Sequence, residues 1–226
     1  MSLEIQLFNL IKKEAEKLIY RYHLYHNNLH LEHERNIKRF GEFPAKKIQK
    51  PNYWDQDKKF NPFYVRKKAQ AIAKSVAKKI QDGTYSPNPP YIKSIPKKSG
   101  GERKISIYQI HDAAVSKLFY YRLLAKNKHR FSSFSYAYRN DRNVHFAIQD
   151  IWADISMNAR IFIAEFDFSD FFGSISHDYL RAQFTQNGFF ISDEEKFVIN
   201  KFLEDREKGI PQGTSISLFL ANLVCW

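Results

Sequence analysis

The sequence predicts an α+β protein in which amphipathic helices accompany an antiparallel sheet. Apolar residues recur every three or four positions from Leu3 to about Tyr22, which is typical of a helix with one buried face. Residues 91–107 contain two extended segments around a Lys-Lys-Ser-Gly-Gly turn, the pattern of a hairpin. Residues 161–168 alternate with a period of two and are apolar enough to predict a mostly buried strand.

Further helices are predicted from their capping signals. The Asn61-Pro62 pair favours a helix start, and the Ser192–Glu195 pattern is that of a capping box. A helix over residues 144–155 is expected to bury its apolar stripe in the core. The remaining predicted helices begin at Asp112 and Ser176, and the predicted helix stops are Gly83 and Gly188.

The composition indicates a folded protein and favours a polyanionic partner. Of 226 residues, 43% are hydrophobic and 16% are aromatic, which argues against disorder. Lys and Arg outnumber Asp and Glu by 36 to 24, and this surplus favours nucleic acid because binding releases counterions from phosphates. A solvated basic surface is the alternative interpretation of the same charge.

Cysteine usage and hydropathy indicate the cellular compartment in which the protein is expected. The single cysteine, Cys225, excludes an internal disulfide and fits a reducing cytoplasm, which is the expected localisation. No apolar run is long enough to span a membrane, and the N-terminus lacks a signal-peptide pattern. No membrane partner is therefore expected.

Four histidines lie at three- and four-residue spacings between Arg21 and Arg39. They are His23, His26, His30 and His33. No cysteine or convincing acidic set completes a metal site there, so a polar helix surface or an RNA contact is expected instead.

A carboxylate at the end of the predicted strand is the first candidate functional group. Asp167 ends this strand, Asp170 follows after a short turn, and Phe172 lies five residues after Asp167. Ligands and metals gather at the rim of a sheet, but many sheets end in a lone Asp. The downstream sequence GIPQGTSISLFLAN, from Gly209 to Asn222, makes the pattern more specific.

These two segments together resemble the palm of reverse transcriptases. Residues 167–175 resemble the first palm motif, and GIPQGTSIS, residues 209–217, resembles the second. IPKKSGGERKISI, residues 95–107, is similar to the fingers hairpin of bacterial and group II intron enzymes. FSYAYRNDRNVHFAI, residues 134–148, is similar to their next conserved block. Four blocks in the family's order cover roughly residues 91–226.

The resemblance implies a right-hand polymerase fold. Residues 1–90 are then a helical, basic N-terminal region, residues 91–160 the fingers, and residues 161–226 a partial palm. The family's third palm motif, an aromatic–x–Asp–Asp hairpin, is expected shortly after Asn222, and the thumb is also missing. Because one palm Asp cannot hold two metal ions, we expect the 226 residues to be the inactive N-terminal part of a longer polymerase. A naturally shortened protein is the alternative.

The resemblance also implies an RNA-directed DNA polymerase that adds deoxynucleotides by two-metal phosphoryl transfer. Asp167 is the expected catalytic residue, and it binds Mg²⁺, or Mn²⁺ in its place, together with the backbone carbonyl of Phe168. Phe172 is expected to pack beneath the sugar and exclude a 2′-hydroxyl, so the product is DNA. The residues implied for nucleotide binding are Lys97, Lys98, Arg103, Asp170, Phe172, Gln212 and Gly213.

Two basic clusters each have a structural alternative. Arg103 is the first candidate to grip the triphosphate, with a hairpin lysine second, whereas charge alone is also typical of an exposed hairpin tip. Tyr136, Arg139 and Arg142 form an aromatic–basic cluster that is expected to stack bases and neutralise phosphates. A packing joint between fingers and palm explains the second cluster equally well, and both interpretations stay open.

The long N-terminal region and compact blocks look most like bacterial reverse transcriptases associated with anti-phage defence. The expected partners are an RNA template, which a dedicated non-coding RNA could provide, the DNA product and deoxynucleotides; a protein oligomer is left open. The competing hypothesis is a non-catalytic nucleic-acid-binding or assembly subunit on a reverse-transcriptase scaffold. The combination of Asp167, Phe172 and Gln212 argues against it, because a pure binding module has no need for that set.

Overall fold

The computed structural model describes residues 1–97 and 100–225, and its fold is α+β. Helices account for about 60% of the residues, and the strands of the described ranges, β1 (Tyr91–Pro96) and β2 (Glu102–Ile107), form one antiparallel sheet. The helices are α1 (Leu3–Phe40), α2 (Pro62–Gln81), α3 (Ile110–Asn127), α4 (Val144–Ser156), α5 (Phe171–Ser174), α6 (His177–Gln186), α7 (Asp193–Leu203) and α8 (Ser215–Val224). Within the described ranges, none of these helices combines the length and the apolar character that crossing a membrane requires.

The chain divides into two compact units. The first unit comprises Met1–Thr84, Asn88–Tyr91 and Tyr108–Val115. The second comprises Tyr85–Pro87, Ile92–Ile107 and Ser116–Trp226. The described residues implied for nucleotide, metal and nucleic-acid binding therefore all belong to the second unit.

Helix α1 begins where the sequence predicts but ends much later. The Ser2 hydroxyl accepts a hydrogen bond from the Ile5 backbone N–H at 3.4 Å, which caps the first turn. The predicted end near Tyr22 is wrong, because the helix continues to Phe40 and includes the four-histidine segment. No glycine or proline interrupts it before Gly41, whose φ of +79° ends the helix.

The first unit is built on the apolar faces of α1 and α2. The fully buried residues of these faces include Leu7, Ile11, Ala15, Val65 and Ala73. Trp54, in the connector between the helices, is also buried, and its ring lies 5.2 Å from that of Tyr22 and 6.2 Å from that of Phe63. Trp54 is thus a packing residue rather than an exposed ring available for stacking.

Residues 161–168, predicted as a mostly buried strand, form no strand in the structure. The segment is irregular, and Phe162 and Phe166 are 99% and 93% exposed. Among the described residues, no backbone hydrogen bond joins this segment to another. A strand is stable only when a neighbouring strand pairs with its N–H and C=O groups, so the alternating pattern alone does not form one. The predicted palm sheet is therefore not part of the described structure.

Helix α4 forms where the sequence predicts a helix, but its apolar stripe is exposed. Asn143 caps it by accepting a hydrogen bond from the His145 N–H at 2.9 Å. None of its residues is buried, and Ile148 and Ile151 are 57% and 58% exposed. The predicted core positions of α4 are wrong because no described element covers this stripe.

The local signals in the rest of the second unit are confirmed. Ser192 and Glu195 form the predicted capping box of α7, in which the Ser192 N–H donates to the Glu195 carboxylate at 2.8 Å. Ser176 caps α6, as its position predicts. Helix α8 follows the GIPQG sequence and is tied to α3 by a hydrogen bond from the Ile216 N–H to the Ser116 hydroxyl at 2.9 Å.

Candidate functional site

The GIPQG loop, residues 209–213, is held by backbone hydrogen bonds to the segment before α6. The N–H of Gly209 donates to the carbonyl of Ile175 at 2.7 Å, and that of Ile210 donates to the carbonyl of Phe172 at 2.7 Å. His177 is buried, and its Nε2–H donates to the Gly209 carbonyl at 2.8 Å. The loop therefore has one fixed position against α5 and α6.

The same loop also contacts strand β2. The Ser106 N–H donates to the carbonyl of Gln212 at 2.8 Å. Gly213 has a φ of +111°, and a Cβ atom built there would lie 2.5 Å from the Ser106 carbonyl oxygen. Only glycine permits this approach, because a side chain would both strain the backbone and overlap with β2. The GIPQG loop thus contacts both the β1–β2 hairpin and helix α5.

Asp170 occupies a special backbone position immediately before α5. Its φ of 75° and ψ of 50° place it in the left-handed region, which non-glycine residues adopt infrequently. Its carbonyl accepts hydrogen bonds from the N–H groups of Gly173 and Ser174 at 3.1 and 3.0 Å. A Cβ at Gly173 would collide with the Asp170 carboxylate, so this glycine leaves room for the acidic group.

A cleft of about 480 Å³ is bordered by the hairpin, the α5 turn and the GIPQG loop. The residues implied for nucleotide binding that line it are Lys97, Arg103, Asp170, Phe172 and Gln212. Gly213 does not line the cleft but fixes the contact of the loop with β2. Lys98 lies outside the described residues. Three motifs that are far apart in the sequence therefore meet at one cavity.

Cationic side chains dominate the charge of this cleft. Its charged lining residues are the cations Lys97, Arg103, Lys104 and Arg206 and the carboxylates Glu102 and Asp170. None of the four cations forms an ion pair with another residue of the described ranges. Cations that are not neutralised by the protein attract phosphate groups to a confined site.

Arg206 is the cleft residue that the sequence did not reveal. It lies in the turn after α7, three residues before the GIPQG loop, and belongs to no recognisable motif. Its Nη2 donates to the Ser106 hydroxyl at 3.4 Å, and Ser106 is itself buried. The fold places Arg206 in the same cleft as the cations of the hairpin. In the sequence, only its position shortly before the GIPQG loop indicates that it belongs to this site.

The expected metal ligands lie apart from the lining of this cleft. Asp167 and Phe168 belong to the exposed segment 161–168 and do not line the cavity. In residues 1–97 and 100–225, no group of three or more His, Cys, Asp or Glu side chains is arranged to hold a metal ion. Mg²⁺ is often bound through only one or two carboxylates and completed by substrate phosphates, so Asp167 stays a predicted ligand.

The aromatic–basic cluster is largely engaged with the protein itself. The Arg139 side chain is only 5% exposed, and it donates to the Asp141 carboxylate at 2.8 and 3.0 Å and to the Ser132 carbonyl at 2.9 Å. Its hydrogen bonds lower the pKa of Asp141 below the ordinary value. The Tyr136 hydroxyl donates to Asp150, which raises the pKa of the tyrosine.

These contacts favour the packing interpretation for Arg139. The Arg142 side chain has fewer contacts with the described residues. Its guanidinium lies 6.0 Å from the centre of the Phe146 ring, a cation–π contact that leaves its donors available. Nucleic-acid binding by the cluster stays a prediction, and Arg142 is its best-placed member.

Comparison with known proteins adds no assignment to this geometry. A scan against protein-family models finds no match, and a comparison with curated proteins finds no significant one. The function of the cleft therefore has to be argued from its own residues.

Proposed function

We propose that the chain forms the fingers and part of the palm of an RNA-directed DNA polymerase related to reverse transcriptases. One observation carries the proposal: residues selected from three separate motifs for nucleotide binding line a single cleft. The ligand of this cleft is a deoxynucleoside triphosphate. The size of the cleft, its charge and the variety of its lining residues all support such a ligand.

The cations of the cleft suit the triphosphate group. Arg103 has a planar guanidinium that binds phosphate oxygens in a bidentate manner, and Lys97 adds a point charge from the same hairpin. Arg206 adds a second guanidinium from a different element, oriented by Ser106. Ligation from two elements fixes the position of the phosphates better than the hairpin alone, because hairpin tips are mobile.

Arg206→Ala is expected to weaken binding of dATP roughly 10- to 100-fold, because one hydrogen bond to a charged group contributes about 1.5–3 kcal/mol. The measurement is an equilibrium titration of the chain with a fluorescent dATP. Lys208→Ala is the matched control, since it removes the same charge two residues later at an exposed position outside the cleft lining. Equal losses in the two variants would show that only overall charge matters.

The apolar and amide residues of the cleft suit a sugar and a base. Phe172 and Ile210 offer apolar surface on which a deoxyribose ring can pack. The Gln212 amide supplies both a donor and an acceptor, and its backbone position is fixed by Ser106. In this proposal, Phe172 is the residue that meets the 2′ position of the sugar.

Phe172→Ala is expected to reduce the preference of the chain for dATP over ATP, because the smaller side chain leaves room for a 2′-hydroxyl. Discrimination against an added hydroxyl in an apolar pocket is limited to about 100-fold, so the ratio of the two dissociation constants should fall by up to that factor. Phe171→Ala is the control, as its ring lies next to that of Phe172 but does not line the cleft. An unchanged ratio in Phe172→Ala would remove the sugar-selecting role.

The remaining parts of the proposal follow from the polymerase assignment. Asp167 and the carbonyl of Phe168 are the proposed ligands of Mg²⁺ or Mn²⁺, with nucleotide phosphates completing the coordination. When bound, the ion would supply activation of a primer 3′-hydroxyl and stabilisation of charge on the transferred phosphate. An RNA strand is the template and DNA is the product, and the biological setting is bacterial anti-phage defence.

The second candidate function is a non-catalytic nucleic-acid-binding or assembly subunit. The observation that favours it is the position of Asp167 in an exposed segment, outside the cleft lining. Such a subunit would bind nucleic acid but would not distinguish dATP from ATP. The nucleotide titration therefore separates the two functions.

A further inference from the structure

Helix α2 carries charge of one sign only. Its 20 residues include six cations and no Asp or Glu. The cations are Arg66, Lys67, Lys68, Lys74, Lys78 and Lys79, and every one of them is exposed. Surface helices usually mix the two signs, because opposite charges three or four residues apart stabilise the helix.

Three cations of α2 lie in one row on the exposed face of the helix. Lys67, Lys74 and Lys78 are separated by seven and four residues, so they lie along one line of the helix. At a rise of about 1.5 Å per residue, this row spans about 16 Å. The opposite face of the helix, which includes Val65 and Ala73, is buried in the first unit and holds the row in place.

The cations of this surface are not paired with carboxylates of the described residues. Within the described residues, none of the six side chains forms an ion pair. Lys74 and Lys78 are four residues apart, a spacing at which like charges repel and destabilise a helix. A bound polyanion would remove this repulsion, whereas solvation alone leaves it.

We propose that the exposed face of α2 binds the sugar–phosphate backbone of a nucleic-acid strand. The row of lysines offers ammonium groups to successive phosphates, and no base is read by these contacts. Tyr64 lies one helical turn before Lys67 and Lys68 on the same side of the helix, and its exposed ring offers a surface on which a base can stack. This site lies in the first unit and does not depend on nucleotide binding in the second.

The test is the salt dependence of binding to a labelled single strand. The combined variant Lys67→Gln, Lys74→Gln and Lys78→Gln removes the row while keeping good helix-forming residues. Fluorescence anisotropy with a 20-nucleotide RNA, and with DNA of the same sequence, gives the association constant over a series of salt concentrations. Because each phosphate contact on a single strand contributes about 0.7 to the slope of log K against log salt, we expect the slope to become smaller in magnitude by about 2.

A charge-matched control separates a specific surface from the overall charge. The variant Lys12→Gln, Lys13→Gln and Lys17→Gln removes three exposed cations from α1, where Glu14 and Glu16 accompany them. We expect its slope to match that of the unchanged protein. Equal losses in both triple variants, or an unchanged slope in the α2 variant, would overturn the proposal.

The two nucleic acids and one further probe identify the ligand. A loss on both RNA and DNA, or on only one of them, supports the proposal and assigns the strand that is bound. If the α2 variant loses binding to vesicles containing anionic lipid but not to either strand, the face recognises another polyanion and the proposal is wrong. We expect circular dichroism to show unchanged helix content in both variants. A lower helix content in the α2 variant would show that its loss of binding results from unfolding, and this result would overturn the assignment.

Discussion

Gly209→Ala is expected to destabilise the second unit and to abolish nucleotide binding in the cleft. Gly209 has a φ of +83°, a conformation that costs an alanine about 1–2 kcal/mol. A Cβ there would also lie 2.8 Å from the carbonyl oxygens of Phe172 and Gly173. Both neighbours are backbone atoms, so the overlap cannot be relieved by rotation of a side chain, and the loop has to move.

The expected loss for Gly209→Ala is at least about 2–3 kcal/mol in the free energy of unfolding, the sum of backbone strain and overlap. For a chain of this size, that corresponds to a fall of roughly 4–12 °C in Tm. Urea unfolding and the dATP titration measure the two effects. The binding loss follows because Ile210 and Gln212 would be displaced together with the loop.

Gly83→Ala is the matched control for this prediction. Its φ of +67° is also in the left-handed region, but no atom lies within 4 Å of the position of its Cβ. We therefore expect only the strain of the backbone, about 1–2 kcal/mol, and unchanged dATP binding. If Gly209→Ala were as mild as Gly83→Ala, the loop would not need its close approach to α5.

The elements that the sequence predicted correctly are those with local signals. The Asn61 cap, the Ser192–Glu195 capping box and the Gly-Gly turn of the hairpin each act within four or five residues. Their physical cause is present in the sequence itself, since a cap or turn satisfies nearby backbone groups. The apolar stripe of α1 does not mark where the helix ends, because no glycine or proline stops it before Gly41.

The errors concern segments whose structure depends on distant partners. Alternation in residues 161–168 describes the two faces of a strand, but a strand also needs neighbours that pair with its backbone. The apolar stripe of α4 likewise shows that the helix is amphipathic and does not identify what covers it. Both predictions extended a local pattern to a tertiary contact that the described residues do not make.

The same difference between local signals and distant contacts applies to the residues of the candidate site. The resemblance of the sequence motifs to reverse transcriptases predicts nucleotide binding by Arg103, Asp170, Phe172 and Gln212, and the fold brings these residues to one cleft. Arg206 could not be found in this manner, because its role depends on the approach of the α7–α8 turn to β2. Residues at a fixed spacing in a motif can be predicted from the sequence. A contact between side chains of separate elements, such as that of Arg206 with Ser106, can be found only in the folded structure.

Asp167→Ala is expected to abolish primer extension by the complete gene product on an RNA template with Mg²⁺ and deoxynucleotides. Loss of an outer-shell partner of a metal ligand lowers metal affinity or activity about 10- to 100-fold, and loss of the ligand itself should exceed that. Asp167 is exposed, so its removal should change the free energy of unfolding by no more than about 0.5 kcal/mol. A loss of activity with unchanged stability and RNA binding would then report on chemistry alone.

Glu165→Ala is the matched control for Asp167→Ala, since it removes a carboxylate from the same exposed segment. We expect extension by this variant to match that of the unchanged protein. If both variants extend the primer normally, Asp167 is not a metal ligand and the polymerase proposal loses its catalytic residue. If the unchanged protein binds RNA tightly but adds no nucleotide under templated, untemplated or native-RNA conditions, the non-catalytic scaffold is the better function. Primer extension by the unchanged protein has to be measured first, because a role of Asp167 in the reaction can be tested only if the unchanged protein is active.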